Sequence, residues 1–335
     1  MADAIPMVEI HRGAFAESGH RGHAVICDAR GEIRAAWGDP GAVILPRSSC
    51  KMLQALPLVE SGAARDLSTE QLALACASHQ GAEMHVTRVA RWLADLGMSD
   101  DDLRCGPQIP DDREERGRLR EAVEAPCQLH NNCSGKHAGF LTLNRHLGGD
   151  TEYQEPEHPV QRAVRAAFEE MTGAESPGYG IDGCSAPNFA TTMHGLALAM
   201  ARMAAPAGLG ATRADAAERL VAAMVAHPLL VAGEGRACSE LMEAAGGAVA
   251  IKTGAEGVFV AIWPEKGIGL AVKIEDGGTR ASECAVATLL CRLGALSAAH
   301  PAVIRRMRPV ITNRRGLVVG EIMPSAALWG NGAPI

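Results

Sequence analysis

Aromatic residues are scarce in this sequence: Phe, Trp and Tyr together make up 3% of 335 residues. A core without them has to be built from Ala, Val, Leu, Ile and Met, and a 47% hydrophobic content supplies enough of these. Lysine is scarce too. Of 32 basic residues only five are Lys (Lys51, Lys136, Lys252, Lys266 and Lys273), and the rest are Arg. Arg does not give up its proton, whereas Lys can be tuned into a base or a ligand, so each lysine is worth inspecting. No apolar run approaches the ~18 residues of a membrane span. No basic patch interleaves with aromatics and the formal net charge is −7, which weighs against a nucleic-acid partner. The first residues have neither a charged nor an apolar signal region, so no secretory leader and a cytoplasmic location are expected. In that compartment the ten cysteines are expected to be thiols rather than a disulfide framework. Cys27, Cys76, Cys105, Cys238, Cys284 and Cys291 sit in apolar surroundings and read as small core residues.

The order of elements is strands, many helices, strands, a helix, strands. Ala24 to Trp37 contains two extended runs about Asp28-Ala29-Arg30-Gly31, a hairpin signal. A helix is expected from about Ser49 to Glu60, with Pro57 kinking it or ending it early. Ser68 and Gln71 have capping-box spacing ahead of a helix ending near Ser78 and His79. Helices are then expected at about 83–97, 113–124, 135–146, 158–172, 189–204, 213–226 and 238–245. Short β-branched runs at 249–254, 257–263 and 267–276 read as an antiparallel meander, followed by a helix at about 280–295 and two strands around Asn313-Arg314-Arg315-Gly316. Neither β region is large enough to stand alone. The expected fold is therefore α/β (α+β): an antiparallel sheet from both chain ends flanked by helices, with an inserted all-helical subdomain. Residues 1–65 and 246–335 would hold the sheet and 66–245 the mainly helical part of a single catalytic unit.

Ser48-Ser49-Cys50-Lys51 is an S-x-x-K opening a helix, and positions three apart share a helix face. A serine hydroxyl is a weak nucleophile that needs a neighbouring base. A lysine serves only after shedding its proton, which a helix N-terminus and burial both favour. The bland reading, an N-cap serine and a surface lysine, fits less well, since a capping box wants Glu or Gln at the third position. Lys252-Thr253-Gly254 falls on a meander strand, and S-x-x-K with K-T-G is the pair used by penicillin-binding proteins and serine β-lactamases. Their S-D-N element is absent, and Ala77-Ser78-His79-Gln80-Gly81 is the best substitute, with Ser78 and Lys252 as a second Ser–Lys pair. Two loops are dense in donors, one running through His130, Cys133, Ser134, Lys136 and His137, the other through Asp182, Cys184 and Asn188. Thiolate and nitrogen ligands suit Zn²⁺, although the spacing is not that of a zinc finger.

Arg47-Ser48-x-x-Lys51, A-S-H-Q-G at 77–81, C-S-G-K-H at 133–137, D-G-C-S-A-P at 182–187 and K-T-G at 252–254 together resemble the asparaginase II family, the rhizobial-type or class 3 L-asparaginases. The resemblance spans nearly the whole chain. It implies a fold similar to serine β-lactamases and glutaminases, a homodimer, and hydrolysis of L-asparagine to L-aspartate and ammonia. It further implies that Ser48 with Lys51, and Ser78 with Lys252, form two Ser–Lys tandems. Cys133, Lys136 and Cys184 match the family's zinc site, completed by water, and Arg47, His79 and Asp182 fall around the substrate. Other readings are a glutaminase or other amidohydrolase on the same fold, a zinc-hydroxide hydrolase, and a non-catalytic sensor resembling penicillin-binding proteins. A nucleobase deaminase is disfavoured, because no H/C-x-E precedes Pro126-Cys127.

Overall fold

The computed structural model describes residues 3–335, which form two compact units. The first holds the residues up to Ser49 together with Thr191–Ala205 and Glu240–Ile335, and the second holds Cys50–Ala190 and Pro206–Ser239.

The first unit is built on an eight-stranded antiparallel sheet. Its strands are β1 (Ile5–Arg12), β2 (Phe15–Asp28), β3 (Ile33–Trp37), β4 (Ala250–Gly254), β5 (Val258–Trp263), β6 (Ile268–Ile274), β7 (Val310–Thr312) and β8 (Val318–Pro324). They run in the order β7-β8-β1-β2-β6-β5-β4, with β3 also paired to β2. The long β2 joins the two ends of the chain. Its first half pairs with β1, and its second half sets Ile26 opposite Leu270 of β6 and Ala35 of β3. At the far end β1 pairs with β8, Val8 opposite Pro324. The turn after β2 closes where the sequence signals it: Asp28 Oδ1 accepts from the N–H groups of Arg30 (2.9 Å) and Glu32 (3.1 Å). Helices Met193–Ala204 and Thr279–Arg292 pack on the sheet. The first of these lies against β6 at Gly269, where a Cβ would run into the main chain of Ala197 and Ala201.

The second unit is mainly helical, built on Lys51–Glu60, Thr69–Ala75, Glu83–Asp95, Arg113–Ala122, Ser134–Leu147, Pro159–Thr172 and Ala211–Ala226. The Ser68–Gln71 capping box forms, with Ser68 N–H donating to Gln71 Oε1 at 2.9 Å. The first helix ends at Glu60, as expected, with Pro57 inside it. Two boundaries differ from the sequence reading. The helix expected from 189 begins at Met193, because Pro187–Phe189 and Thr191–Thr192 are taken up in short strand pairs. The helix after Ser68 stops at Ala75. Ser78 and His79 therefore lie in an extended stretch beyond it, whose backbone bonds to Val231 and Ala232 replace helical ones. All ten cysteines are free; five of the six assigned to the core are buried and Cys291 is half-buried.

A Gly269→Ala protein should lose about 1–3 kcal/mol, because its neighbours are backbone atoms that cannot rotate away. Urea unfolding measures this, and an unchanged midpoint would refute the close approach.

Candidate active site

The S-x-x-K motif, whose Ser48 and Ser49 fall in the sheet unit and Cys50 and Lys51 in the helical one, opens on a 3₁₀ turn, Arg47–Cys50, that leads into the helix starting at Lys51. Arg47 holds φ +53°, a left-handed conformation that non-glycine residues rarely adopt, and it aims the turn at the cost of backbone strain. The hydroxyl of Ser49 donates to the carbonyl of Pro46 at 2.7 Å and is thereby committed to structure. Ser49 and Cys50 are buried, whereas Ser48 is half-buried and is the hydroxyl of the pair within reach of a small molecule. β4 runs against this turn. A Cβ on Gly254 would sit 2.5 Å from the Pro46 oxygen and 2.7 Å from the Ser49 nitrogen, so only glycine allows the approach. K-T-G and the Ser48 turn are thus brought together. Lys252 is fully buried and its Nζ donates to the Thr253 carbonyl at 2.9 Å.

In the helical unit, Lys51 is 1% exposed. Its Nζ donates to the carbonyls of Ala77 (2.5 Å) and Asn132 (3.4 Å), so the lysine joins the A-S-H-Q-G stretch to the H-N-N-C-S-G-K-H loop. Ser78, which follows Ala77, is buried and is held by its N–H on the Val231 carbonyl at 2.9 Å. His79 is fully buried. Its Nδ1 accepts from the Gly81 N–H at 3.1 Å, so its proton sits on Nε2, 3.0 Å from Ser134 Oγ. The ring stacks on His85 with centroids 4.7 Å apart. Burial first, then the neighbouring His85 and Lys51, holds its pKa well below the ordinary histidine value. His79 is therefore a neutral brace for the stretch that carries Ser78.

Also in the helical unit, Cys133, Lys136 and Cys184 form a buried cluster, with Lys136 Nζ 3.0 Å from Cys184 Sγ. Cys184 is placed by the tight loop between Tyr179–Ile181 and Pro187–Phe189, where the Asp182 N–H donates to Ala186 at 2.9 Å and Ser185 turns left-handed at φ +68°. Cys133 and Lys136 come from the start of helix Ser134–Leu147, which crosses Thr69–Ala75 with Gly135 directly on the Leu74 backbone. The hydrogen bond from Cys133 drives the Cys184 pKa well down against burial, with help from Lys136, and the same bond drives Cys133 up. Burial opposes charge on Lys136, but the two sulfurs, and then Asp182, outweigh it and raise its pKa.

Among the described residues no group of three or more His, Cys, Asp or Glu side chains forms a metal site; here the third donor is a lysine. The donor chemistry nevertheless fits Zn²⁺. Cys184 is pushed toward the thiolate, Cys133 toward the thiol and Lys136 toward the ammonium, a combination that is neutral overall. Two thiolates, an amine and a divalent cation are neutral as well, so a buried pocket accepts the exchange of two protons for the ion. Next to the trio, His137 is braced at Nδ1 by the Tyr153 hydroxyl (2.9 Å) and interacts with the Cys184 sulfur. Sequence reasoning passed over His137 and Asn132 as individual site residues; their only signal was membership of a donor-rich loop.

Because folded His79 titrates below 6.5, the folded state binds fewer protons than the unfolded chain. Its contribution to stability is complete above the unfolded value of about 6.5 and drains away as pH falls toward the folded one. The thermal midpoint should drop between pH 7 and 5, and His79→Gln should flatten that slope; an unchanged slope would refute the neutral-brace role.

The chain matches the family described as L-asparaginase II over residues 8–324. Among solved structures it is similar to a β-lactamase (Mb2281c) from Mycobacterium bovis, with 15% identity, 78% of this chain and 90% of that one covered, and a TM-score of 0.41. It is also similar to Mglu in its native form (14%, 84% and 65% covered, TM-score 0.40) and to a putative β-lactamase from Bacteroides dorei (12%, 76% and 85%, TM-score 0.41). The comparison with curated proteins found no match. The family match covers nearly the whole chain, and the chain belongs to the L-asparaginase II family: it is an asparaginase-type amidohydrolase acting on a small-molecule amide.

Proposed function

We propose that this member of the L-asparaginase II family hydrolyses the side-chain amide of L-asparagine to L-aspartate and ammonia through an acyl-enzyme on Ser48. The observation that carries the reading is the seating of the K-T-G strand on the turn that presents Ser48, three residues ahead of a buried lysine. Ser48 Oγ attacks the amide carbon and Lys51 takes the hydroxyl proton. The proton passes to the departing nitrogen, the C–N bond breaks, ammonia leaves and an aspartyl ester remains. Water, deprotonated by the same lysine, then cleaves the ester. Lys252 supplies a second buried amine beside the Ser48 turn, and Ser78 a second hydroxyl beside the carbonyl that holds Lys51. These two serve to move protons. The carbonyls on Lys51 fix its rotamer before substrate arrives, so little ordering is left for the reaction step.

Cys133, Lys136 and Cys184 would hold Zn²⁺, which would supply a positive charge to orient the substrate or the loop. Asp182, half-buried in the loop that carries Cys184, and Arg47, ahead of Ser48, are the residues that the family resemblance puts at the substrate. The family resemblance adds a homodimer, which light scattering of the purified protein would read.

Ammonia release from L-asparagine, with L-glutamine alongside, tests the reading. Ser48→Ala should lower turnover by about 10³-fold or more, and Ser78→Ala should also remove most of it. A fully active Ser48→Ala enzyme would sink the nucleophile assignment, and no release from either amide by the wild type would sink the substrate.

Metal content gives a separate check. The wild type should retain zinc at roughly one equivalent and Cys184→Ser should lose nearly all of it, since one missing ligand breaks the set. Equal zinc in both proteins would remove this site from consideration.

A further inference from the structure

Beside the Cys133, Lys136 and Cys184 cluster of the helical unit lies a histidine to which the chemistry above gives no task. His137 follows Lys136 on the helix Ser134–Leu147 and is fully buried. Its ring meets Phe140 and Tyr153 edge to face, with centroids 5.6 and 5.5 Å away, so it is caged on two sides. Tyr153 is fully buried as well, and its hydroxyl oxygen accepts from the Arg104 main-chain N–H at 2.8 Å. Arg104 is itself anchored, its guanidinium donating to Glu152 Oε1 at 3.0 Å and to the Asp101 carbonyl at 2.9 Å. The Tyr153 hydroxyl proton is buried and needs an acceptor, and His137 Nδ1 lies 2.9 Å away. A main-chain N–H can only donate, so the chain runs one way: Arg104 N–H to Tyr153, then Tyr153 O–H to Nδ1. Nδ1 therefore holds a lone pair, and the ring proton sits on Nε2. With Nδ1 committed to Tyr153, the group left to meet the Cys184 sulfur, with which His137 interacts, is that Nε2–H. The same sulfur already receives Lys136 Nζ at 3.0 Å.

We propose that His137, its tautomer locked by Tyr153, is a positioning residue for the metal ligand Cys184, donating its Nε2–H to the sulfur. The inference rests on the reading of Cys133, Lys136 and Cys184 as zinc ligands. A thiolate has several lone pairs, so it can accept an N–H and still bind a cation. The N–H fixes the direction of the sulfur and supports its charge in a pocket without water. Orientation of a ligand from behind in this way is worth about 10–100-fold in metal affinity. The same tautomer keeps His137 out of the metal shell. Imidazole is a good zinc ligand, but a nitrogen that carries a proton has no lone pair to give. The protein's share of the shell thus stays at three side chains, the number that leaves a position for water or substrate.

Nitrogen NMR of the metal-free, full-length protein with isotope-labelled histidine reads the tautomer directly. His137 Nδ1 should appear as the lone-pair nitrogen and Nε2 as the protonated one; the opposite assignment overturns the proposal whether or not the protein binds zinc. Zinc affinity, from competition with a chromophoric chelator, should fall about 10–100-fold in His137→Leu and stay nearer the wild-type value in His137→Gln, whose side-chain amide can still donate. In the Co²⁺-loaded protein the sulfur-to-metal charge-transfer band should move to longer wavelength in His137→Leu, because a thiolate stripped of an N–H holds its electrons less tightly. A purely packing role for the ring would leave that band in place. Equal zinc affinity in the wild type and a folded His137→Leu protein overturns the proposal and leaves the ligand set standing. A wild type that binds no zinc at all refutes the ligand set, and the proposal with it. If His137→Leu does not fold, the tautomer in the wild type decides alone.

Discussion

A lysine amine taken out of water is among the more expensive groups a protein can hold, and this one buries three. Lys51, Lys136 and Lys252 are each 3% exposed or less. Each has to find acceptors inside the protein, and the acceptors differ in kind. Lys51 uses two main-chain carbonyls, Lys252 uses that of its neighbour Thr253, and Lys136 uses the sulfur of Cys184. These demands organise what surrounds them. The Ala77 and Asn132 carbonyls that receive Lys51 lie outside the helices, Ala77 beyond the end of Thr69–Ala75 and Asn132 in the loop before Ser134–Leu147, where it also accepts from the His79 N–H.

Backbone proximity is the second constraint. Gly254 lets the K-T-G strand lie on the Ser48 turn, Gly135 lets the Cys133–Lys136 segment lie on the backbone at Leu74, and Gly269 lets a helix seat on the sheet. At each of these the atoms a Cβ would meet include backbone, which cannot move aside as a side-chain tip can. The glycines of K-T-G and C-S-G-K-H are thus packing requirements as much as motif letters, and they bring functional side chains within reach of one another in each unit.

Much of this was legible early. Lysine scarcity singled out five residues; the three placed in motifs proved to be the buried ones, whereas Lys266 is exposed and Lys273 half-buried. Short β-branched runs bounded by turn residues located the hairpin after β2 and the 249–276 meander, whose strands are buried along most of their length. The roles of His79 and His137 were not legible. A histidine's tautomer depends on which backbone or side-chain group reaches each nitrogen, and Gly81, Ser134 and Tyr153 arrive there through folding.

The sequence by itself determined the inventory: which residues can attack, accept a proton or bind a soft cation, and the strand and helix periods that carry them. That follows from side-chain chemistry and local backbone preference, both of which are properties of short stretches. Only the tertiary structure decided which of these groups are desolvated, which nitrogen of each histidine holds the proton, and that the sulfur of Cys184 meets the amine of Lys136. Those outcomes depend on distances between segments far apart in the chain, and burial and hydrogen bonding change a group's charge only once those distances are set.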